Sequence, residues 1–302
     1  MGYANREELI RRFVMNTYRL PRNDICLELA LVDIDRLHIH EEVIPKLVDQ
    51  LAESIVKDGV LRHPVMVDKN SLVVLDGMHR VAAIKRIGCR RMPACLVDYN
   101  NPAIELFGWY RIVKGDDVEK HARESAKVLG LKLKSSSYEK GMKALNEGSA
   151  DALLVTRENC LQVSNNGGDI KSAFDVVKRL ESQLISSGMK VGYETASDAE
   201  TKLRKGEVDM MFAIPPIKKN DVINQGVRDE PFPHKVTRHT VPARPLEIDV
   251  PLRLLKEEKL TSDEANEEFL RIMNSRKIQR MPPGSIIEGR RYDEEVYLFI
   301  KN

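Results

Sequence analysis

The stretch SLVVLDGMHRVAAIKRIG, residues 71–88, holds two periodicities back to back. Leu72-Val73-Val74-Leu75 is an apolar, β-branched run of strand length that ends at Asp76 and Gly77. Beyond the turn the apolar residues recur at helical spacing over 81–87, and Gly88 is a good residue to stop a helix. A strand, a tight turn and a helix in that order aim the unpaired amides of the helix N-terminus, and the positive end of its dipole, at the end of the strand. Such a corner suits phosphate or another anion. Gly77 lets the backbone approach closely, while His79 and Arg80 add charge-assisted donors, Arg80 in the forked geometry that fits phosphoryl oxygens. Asp76 makes sense beside a metal-bound phosphate or a hydroxyl to be aligned. A plainer reading has Asp76 capping the helix and Arg80 lying on its surface; the motif is neither a Walker loop nor GxGxxG, so both readings stand.

Outward from this turn, HPVMVD (63–68) and SLVVLD (71–76) alternate as two strands joined at Lys69-Asn70. Residues 27–34 and MPACLVDY (92–99) read as further strands, and IHEEVIPKLVDQLAESIVKDGV (39–60) as a loop and then a helix stopping at Gly59. An amphipathic helix is expected over 5–18, with Leu9, Ile10, Phe13 and Val14 on one side. The first hundred residues therefore interleave short strands and helices into one α/β unit of the α+β kind. A second region begins near Asp117 and holds an internal duplication. YEKGMKALNEGSADALLV (138–155) and YETASDAETKLRKGEVDMMFAI (193–214) each run Tyr-Glu, helix, Gly turn, Asp, apolar strand, with a helix over 171–187 between them. The charged tail, 256–302, carries a helix from Ser262, a Pro282-Pro283-Gly284 turn and a last strand, EVYLFI.

A chain of 302 residues suggests two domains. Forty-eight basic against forty-six acidic residues leave a formal charge of +2, too balanced for a dedicated nucleic-acid binder, although a local basic pocket is compatible with it. Cys26, Cys89, Cys95 and Cys160 show no CxxC spacing, which argues against a zinc site or a disulfide framework. MGYANREELIRR is too charged for a signal peptide, and no stretch reaches the roughly 18 apolar residues of a membrane span. The expected location is the cytoplasm.

Two further constellations carry possible chemistry. In HIHEEV (38–43) a carboxylate beside histidine suits a general base, yet Glu41 or Glu42 in the first turn of a helix is also what dipole stabilisation selects. In VTRHTVP (236–242) an extended Thr237-Arg238-His239 would send successive side chains to opposite faces, Thr237 and His239 pointing one way. Trp109, the single tryptophan, reads either as core or as the lining of a ligand pocket.

Taken together, DGMHRVAAIKRIG, GWYRIVKGD, GEVDMMFAI and KVTRHTVPARPLEIDVPLRLL, in this order, resemble the archaeal ADP-dependent free serine kinase family of the ParB and sulfiredoxin-like superfamily. The resemblance covers roughly residues 25–255. It implies a ParB/sulfiredoxin-like domain over 1–116 and a second α/β domain over 117–255, packed across a cleft and closing the active site; the extension 256–302 has no counterpart. It implies that Gly77, Met78, His79 and Arg80 bind the nucleotide phosphates, with Asp76 near the transferred group and Glu41 as the catalytic glutamate. Trp109 would shape the serine site, and Thr237, Arg238 and His239 would close it, His239 as a catalytic group.

The implied reaction moves a phosphoryl group from ADP, or ATP, with Mg²⁺ to the hydroxyl of free L-serine, giving O-phospho-L-serine for cysteine biosynthesis. No residue is assigned as a metal ligand. Phosphoryl transfer asks a protein mainly for positioning and charge stabilisation, which these residues supply. Met78 stands where the archaeal kinases have a second histidine, and it cannot perform the cysteine chemistry that sulfiredoxins place in this turn. A nucleotide-sensing ParB-like regulator is the alternative, since GMHRVAA fits the GxxRxxA pattern of that superfamily. The chain shows no helix-turn-helix or basic recognition helix to support it. A sensor on the same scaffold, or a kinase of another hydroxylated compound, are further alternatives; Glu41 with Thr-Arg-His favours an enzyme.

Overall fold

A computed structural model of the chain describes residues 16–165 and 168–301. These fall into two compact units, the first drawn from Met1–Glu105, Val222–Pro231 and His239–Asn302 and the second from Leu106–Asp221 and Phe232–Arg238. The boundaries differ from the sequence division at 116/117 and 255/256. Everything from His239 onward, the extension included, belongs to the first unit.

The first unit is built on strands β1 (Tyr18–Pro21), β2 (Cys26–Asp33), β3 (His38–Ile39), β4 (Val60–Leu61), β5 (Val65–Asp68), β6 (Val73–Asp76) and β7 (Arg91–Val97), with helices α1 (Pro45–Asp58) and α2 (Met78–Arg86). Six of these strands form one mixed sheet in the order β1-β2-β7-β5-β6-β3. The β3/β6 and β5/β7 pairs are parallel and the others antiparallel. Strands β5 and β7 are buried throughout, which is why they read as continuous apolar runs rather than alternating ones. Val48, Ala52 and Ile55 of α1 and Val81, Ala83 and Ile84 of α2 are buried, and the two helices pack on each other.

Helix α1 starts with Pro45 in its first turn and ends at Gly59, whose φ of 70° only glycine adopts cheaply. Glu41 and Glu42 therefore precede the helix, and the dipole reading of them does not hold. Nor is the expected helix over 5–18 present at its end. Residues 16 and 17 are not helical and Tyr18 opens β1, paired with Leu29 of β2; residues 5–15 lie outside the described residues.

The second unit contains β9 (Tyr110–Lys114), β10 (Lys132–Ser136), β11 (Ala152–Val155), β12 (Cys160–Ser164), β13 (Lys190–Glu194) and β14 (Met210–Ala213), while β8 (Glu105–Gly108) spans its first boundary. The six strands β9 to β14 make an antiparallel sheet in the order β10-β12-β11-β14-β9-β13. Helices α3 (Val118–Val128), α4 (Tyr138–Asn146), α5 (Ile170–Ser186) and α6 (Ala196–Lys205) accompany it; α7 (Lys219–Val227) spans a boundary.

The helix–strand pair of the duplication recurs in three dimensions, but its Tyr-Glu does not: Tyr138 and Glu139 open α4, whereas Tyr193 and Glu194 end β13. Ser137 and Thr195 cap α4 and α6 by accepting from the amides of Lys140 and Asp198. The strands that follow, β11 and β14, lie side by side, with Leu154 opposite Phe212.

The remaining elements are β15 (Thr237–Thr240), β16 (Ala243–Leu246), β17 (Val250–Pro251), α8 (Leu252–Lys256), α9 (Ser262–Asn274), β18 (Lys277–Met281), β19 (Ile286–Ile287), β20 (Arg290–Arg291) and β21 (Glu295–Ile300). The last strand pairs parallel with β16 and antiparallel with β18. Helix α9 packs on β2, burying Ala265, Phe269 and Met273, and its Asn266 side chain accepts from the Leu31 amide at 2.9 Å. The extension is thus folded into the first unit. Among the described residues no helix is long and apolar enough to cross a membrane.

Candidate active site

The turn after β6 has the geometry that its sequence implies. Gly77 is the N-cap of α2, with φ 104° and no side chain to cap the helix. A Cβ there would come within 2.6 Å of Val65 Cγ1 and 2.8 Å of an Arg80 guanidinium nitrogen, so only glycine fits. The amides of Met78, His79 and Arg80 head the helix at the end of the strand. Asp76 is the last residue of β6 and makes no cap, which removes the plainer reading of it.

Arg80 is not a surface residue either. Its guanidinium folds back to Asp76 Oδ2 at 3.1 Å and donates to the carbonyls of His63, at 3.2 Å, and Pro64. A second arginine, Arg244 of β16, also donates to Asp76 Oδ2 and reaches Glu294 Oε1 at 2.7 Å through Nε. Burial pushes the Asp76 carboxyl up, but the guanidiniums of Arg244 and Arg80 outweigh it and hold the group well below the usual carboxylate range. His79 Nε2 accepts from the Ile44 amide at 3.0 Å, which ties the loop before α1 to the head of α2.

Glu41 lies in that loop and is buried, 4% exposed. The neighbouring His40 ring is wholly buried, and its Nδ1–H donates to the Val74 carbonyl at 2.7 Å. Burial lowers the pKa of His40, so its ring is neutral, with Nε2 4.0 Å from Glu41 Oε1. His239 stands edge-on to His40 with ring centres 5.5 Å apart, and its Nε2 is 2.7 Å from the Tyr99 hydroxyl. Burial raises the Tyr99 phenol, which stays protonated and suits the role of donor. Within the first unit, then, the structure brings together Glu41, the turn from Asp76 to Arg80, and His239.

Trp109, Thr237 and Arg238 belong to the second unit. Residues 237–240 form β15, so the extended conformation expected of Thr-Arg-His is present, with Thr237 buried. The Trp109 ring carries the Arg238 guanidinium at 5.7 Å and the Lys235 ammonium at 5.0 Å from its centre. Arg111, 1% exposed, organises this corner. It pairs with Glu181 at 3.1 Å and donates to the carbonyls of Trp109 (2.9 Å) and His234 (3.4 Å).

Sequence reasoning missed Arg244, Tyr99 and Arg111. Arg244 and Asp76 are 168 residues apart, and nothing local to either announces the pair. Arg111 stands in the quoted GWYRIVKGD and reads there as an ordinary charge on a strand.

Among the described residues no group of three or more His, Cys, Asp or Glu side chains could hold a metal ion. Mg²⁺ asks for less, commonly one or two carboxylates together with substrate phosphates and water. Asp76 meets that requirement, since both its arginine contacts fall on Oδ2.

No protein-family profile matches the chain. Its fold nevertheless defines a class, one shared with the free serine kinases. A solved structure of such a kinase, with a glutamate-to-alanine substitution and in complex with AMP, matches with a TM-score of 0.68 at 25% identity, covering 79% of this chain and 97% of that one. In sequence, the ATP-dependent L-serine kinase of Staphylothermus marinus is 29% identical over 247 residues, 79% of this chain and 96% of the relative. The ADP-dependent L-serine kinase of Thermococcus kodakarensis is 25% identical over 252 residues, 80% and 100% of the two. The chain is a relative of the nucleotide-dependent L-serine kinases, as its motifs imply.

Proposed function

We propose that the protein is a kinase of free L-serine, using ADP or ATP as phosphoryl donor and releasing O-phospho-L-serine. The observation that carries this reading is the junction of a buried carboxylate with an anion-binding turn: the loop of Glu41 is tied to the head of α2 through Ile44 and His79. That junction occurs in a chain whose relatives are named L-serine kinases.

In the proposed reaction the nucleotide phosphates take the amides of Met78, His79 and Arg80, on the positive end of the helix dipole. Glu41 accepts the proton of the serine hydroxyl, whose oxygen attacks the terminal phosphorus as the bond to the leaving nucleotide phosphate breaks. His239, held by Tyr99, stands beside the acceptor as a proton carrier or donor to the moving group. Trp109, Thr237 and Arg238 are assigned to the serine, as the family resemblance implies, Trp109 and Arg238 standing together through the guanidinium over the indole ring. Asp76, together with the phosphates, would hold Mg²⁺, which would supply charge neutralisation on the phosphoryl oxygens. Arg80 and Arg244 fix Asp76 for that task. The relatives are named for both ATP and ADP, so both donors belong in the test. A cytoplasmic role in supplying phosphoserine for cysteine formation is consistent with this chemistry.

Purified protein incubated with either nucleotide and with L-serine, L-threonine or homoserine, then analysed by mass spectrometry, should yield phosphoserine and the shortened nucleotide. Phosphorylation of another acceptor but not of serine, or of none, would overturn the proposal.

A further inference from the structure

Four fifths of the chain match the relatives along almost their whole length, so the rest has no counterpart in them. The sequence resemblance ends near residue 255. Beyond that point Glu294, just before β21, grips Arg244 at 2.7 Å, and Arg244 in turn grips Asp76. Four residues earlier, in β20, Arg290 is exposed and rests its guanidinium 4.8 Å above the ring of Tyr292, which is buried against Leu246 and Val296. Leu246 lies two residues along β16 from Arg244, so Tyr292 and the Arg290 guanidinium on its ring stand beside the Asp76 corner, where the charge of Arg290 also acts. The corner thus gathers three guanidiniums, Arg80, Arg244 and Arg290, around two carboxylates, Asp76 and Glu294. The corner therefore carries one positive charge in excess, which the phosphates of a bound anion would offset.

We propose that Arg290, carried in on the C-terminal hairpin and seated on Tyr292, is a donor-binding residue that contacts the phosphates of the nucleotide beyond the first. The inference rests on the kinase reading for the identity of the anion. A planar guanidinium braced by an aromatic ring is pre-oriented, and it pairs with phosphoryl oxygens through two parallel donors. Glu294 acts as a positioning residue, holding Arg244 on Asp76 so that Arg290 is the arginine left to meet the ligand.

Calorimetric titration of the whole chain with AMP, ADP and ATP tests this without any turnover. Arg290→Gln should weaken ADP and ATP roughly ten- to a hundredfold, the worth of a charged hydrogen bond, and leave AMP within twofold of wild type. Arg290→Lys should recover part of the loss. Arg291→Gln, at a neighbouring exposed arginine beside Asp293, should change nothing and controls for net charge. Unaltered ADP and ATP binding in Arg290→Gln overturns the proposal, and so does an equal loss of all three nucleotides. A selective loss of ADP and ATP in a protein that phosphorylates no serine would uphold it while sinking the kinase reading.

Discussion

In the proposed reaction Glu41 is the residue on which the chemistry turns, as a buried carboxylate beside a ring that burial keeps neutral. Glu41→Gln should lower turnover at least about a hundredfold, the usual reach of general-base catalysis, while nucleotide affinity by titration stays within about threefold. Full activity in that variant would remove the assignment. Tyr99→Phe deletes only the hydroxyl facing His239. Its expected effect is a lower kcat with little change in the KM for nucleotide, together with a shifted pH profile; an unchanged profile would make Tyr99 merely structural. Gly77 was legible at once, since a turn between strand and helix with a close approach needs φ above zero. Arg80 was legible only as a cation. That it spends its donors on Asp76 and two carbonyls depends on His63 and Pro64 lying across the β5–β6 hairpin, a tertiary fact.

At the level of elements, the hairpin at Lys69-Asn70, the stop at Gly59 and the repeated helix–strand pair were all readable. Each is set by local turn chemistry and periodicity. The loop holding Glu41 was not, because glutamates before a helix look the same whether they cap it or precede it by a turn. Arg111 shows what pattern cannot reach: a charged strand residue that proves to be buried and holds the backbone of two segments. Arg111→Met should cost roughly 3–5 kcal/mol by stranding Glu181. It should also shift the emission of the single tryptophan, Trp109, and raise the KM for serine. An unchanged fluorescence spectrum would deny Arg111 its hold on that loop.

The histidines of the first unit set its response to acid. Burial, reinforced by Arg80, lowers His63 to about 4, and burial lowers His40 as well. Unfolding lets both take up protons once the pH drops below about 6.5, the ordinary histidine value. Stability is therefore complete above that pH and is lost as the pH falls toward about 4. Thermal melts across this range should show the midpoint falling, and His63→Asn should flatten the slope.

For the whole molecule, near-neutral charge argued against a dedicated nucleic-acid binder but said nothing of the local crowding of arginines at Asp76. The extension was legible in its helix from Ser262 and its last strand, but nothing local told that these pack into the first unit. Its Phe269, Val296 and Phe299 are in fact buried, and burying each such side chain contributes about 1.5–3 kcal/mol. A chain ended at residue 255 should accordingly aggregate or melt far below the full protein, by calorimetry and gel filtration. A soluble truncation with an unchanged melting point would contradict that packing.

The parallel pairing of β16 with β21 has a consequence for biosynthesis. The chain emerges from the ribosome from its N-terminus, and strands β1 to β7 are complete long before the partner of β16 exists. The second unit ends its chain contribution at Arg238, so it has all its residues while more than sixty are still to be made. The inserted unit is thus the first able to reach its native state, and the corner around Asp76 the last. Until Glu294 is translated, Arg244 lacks one of the two carboxylates that hold it, so the Asp76 corner is completed only as the last strand is made.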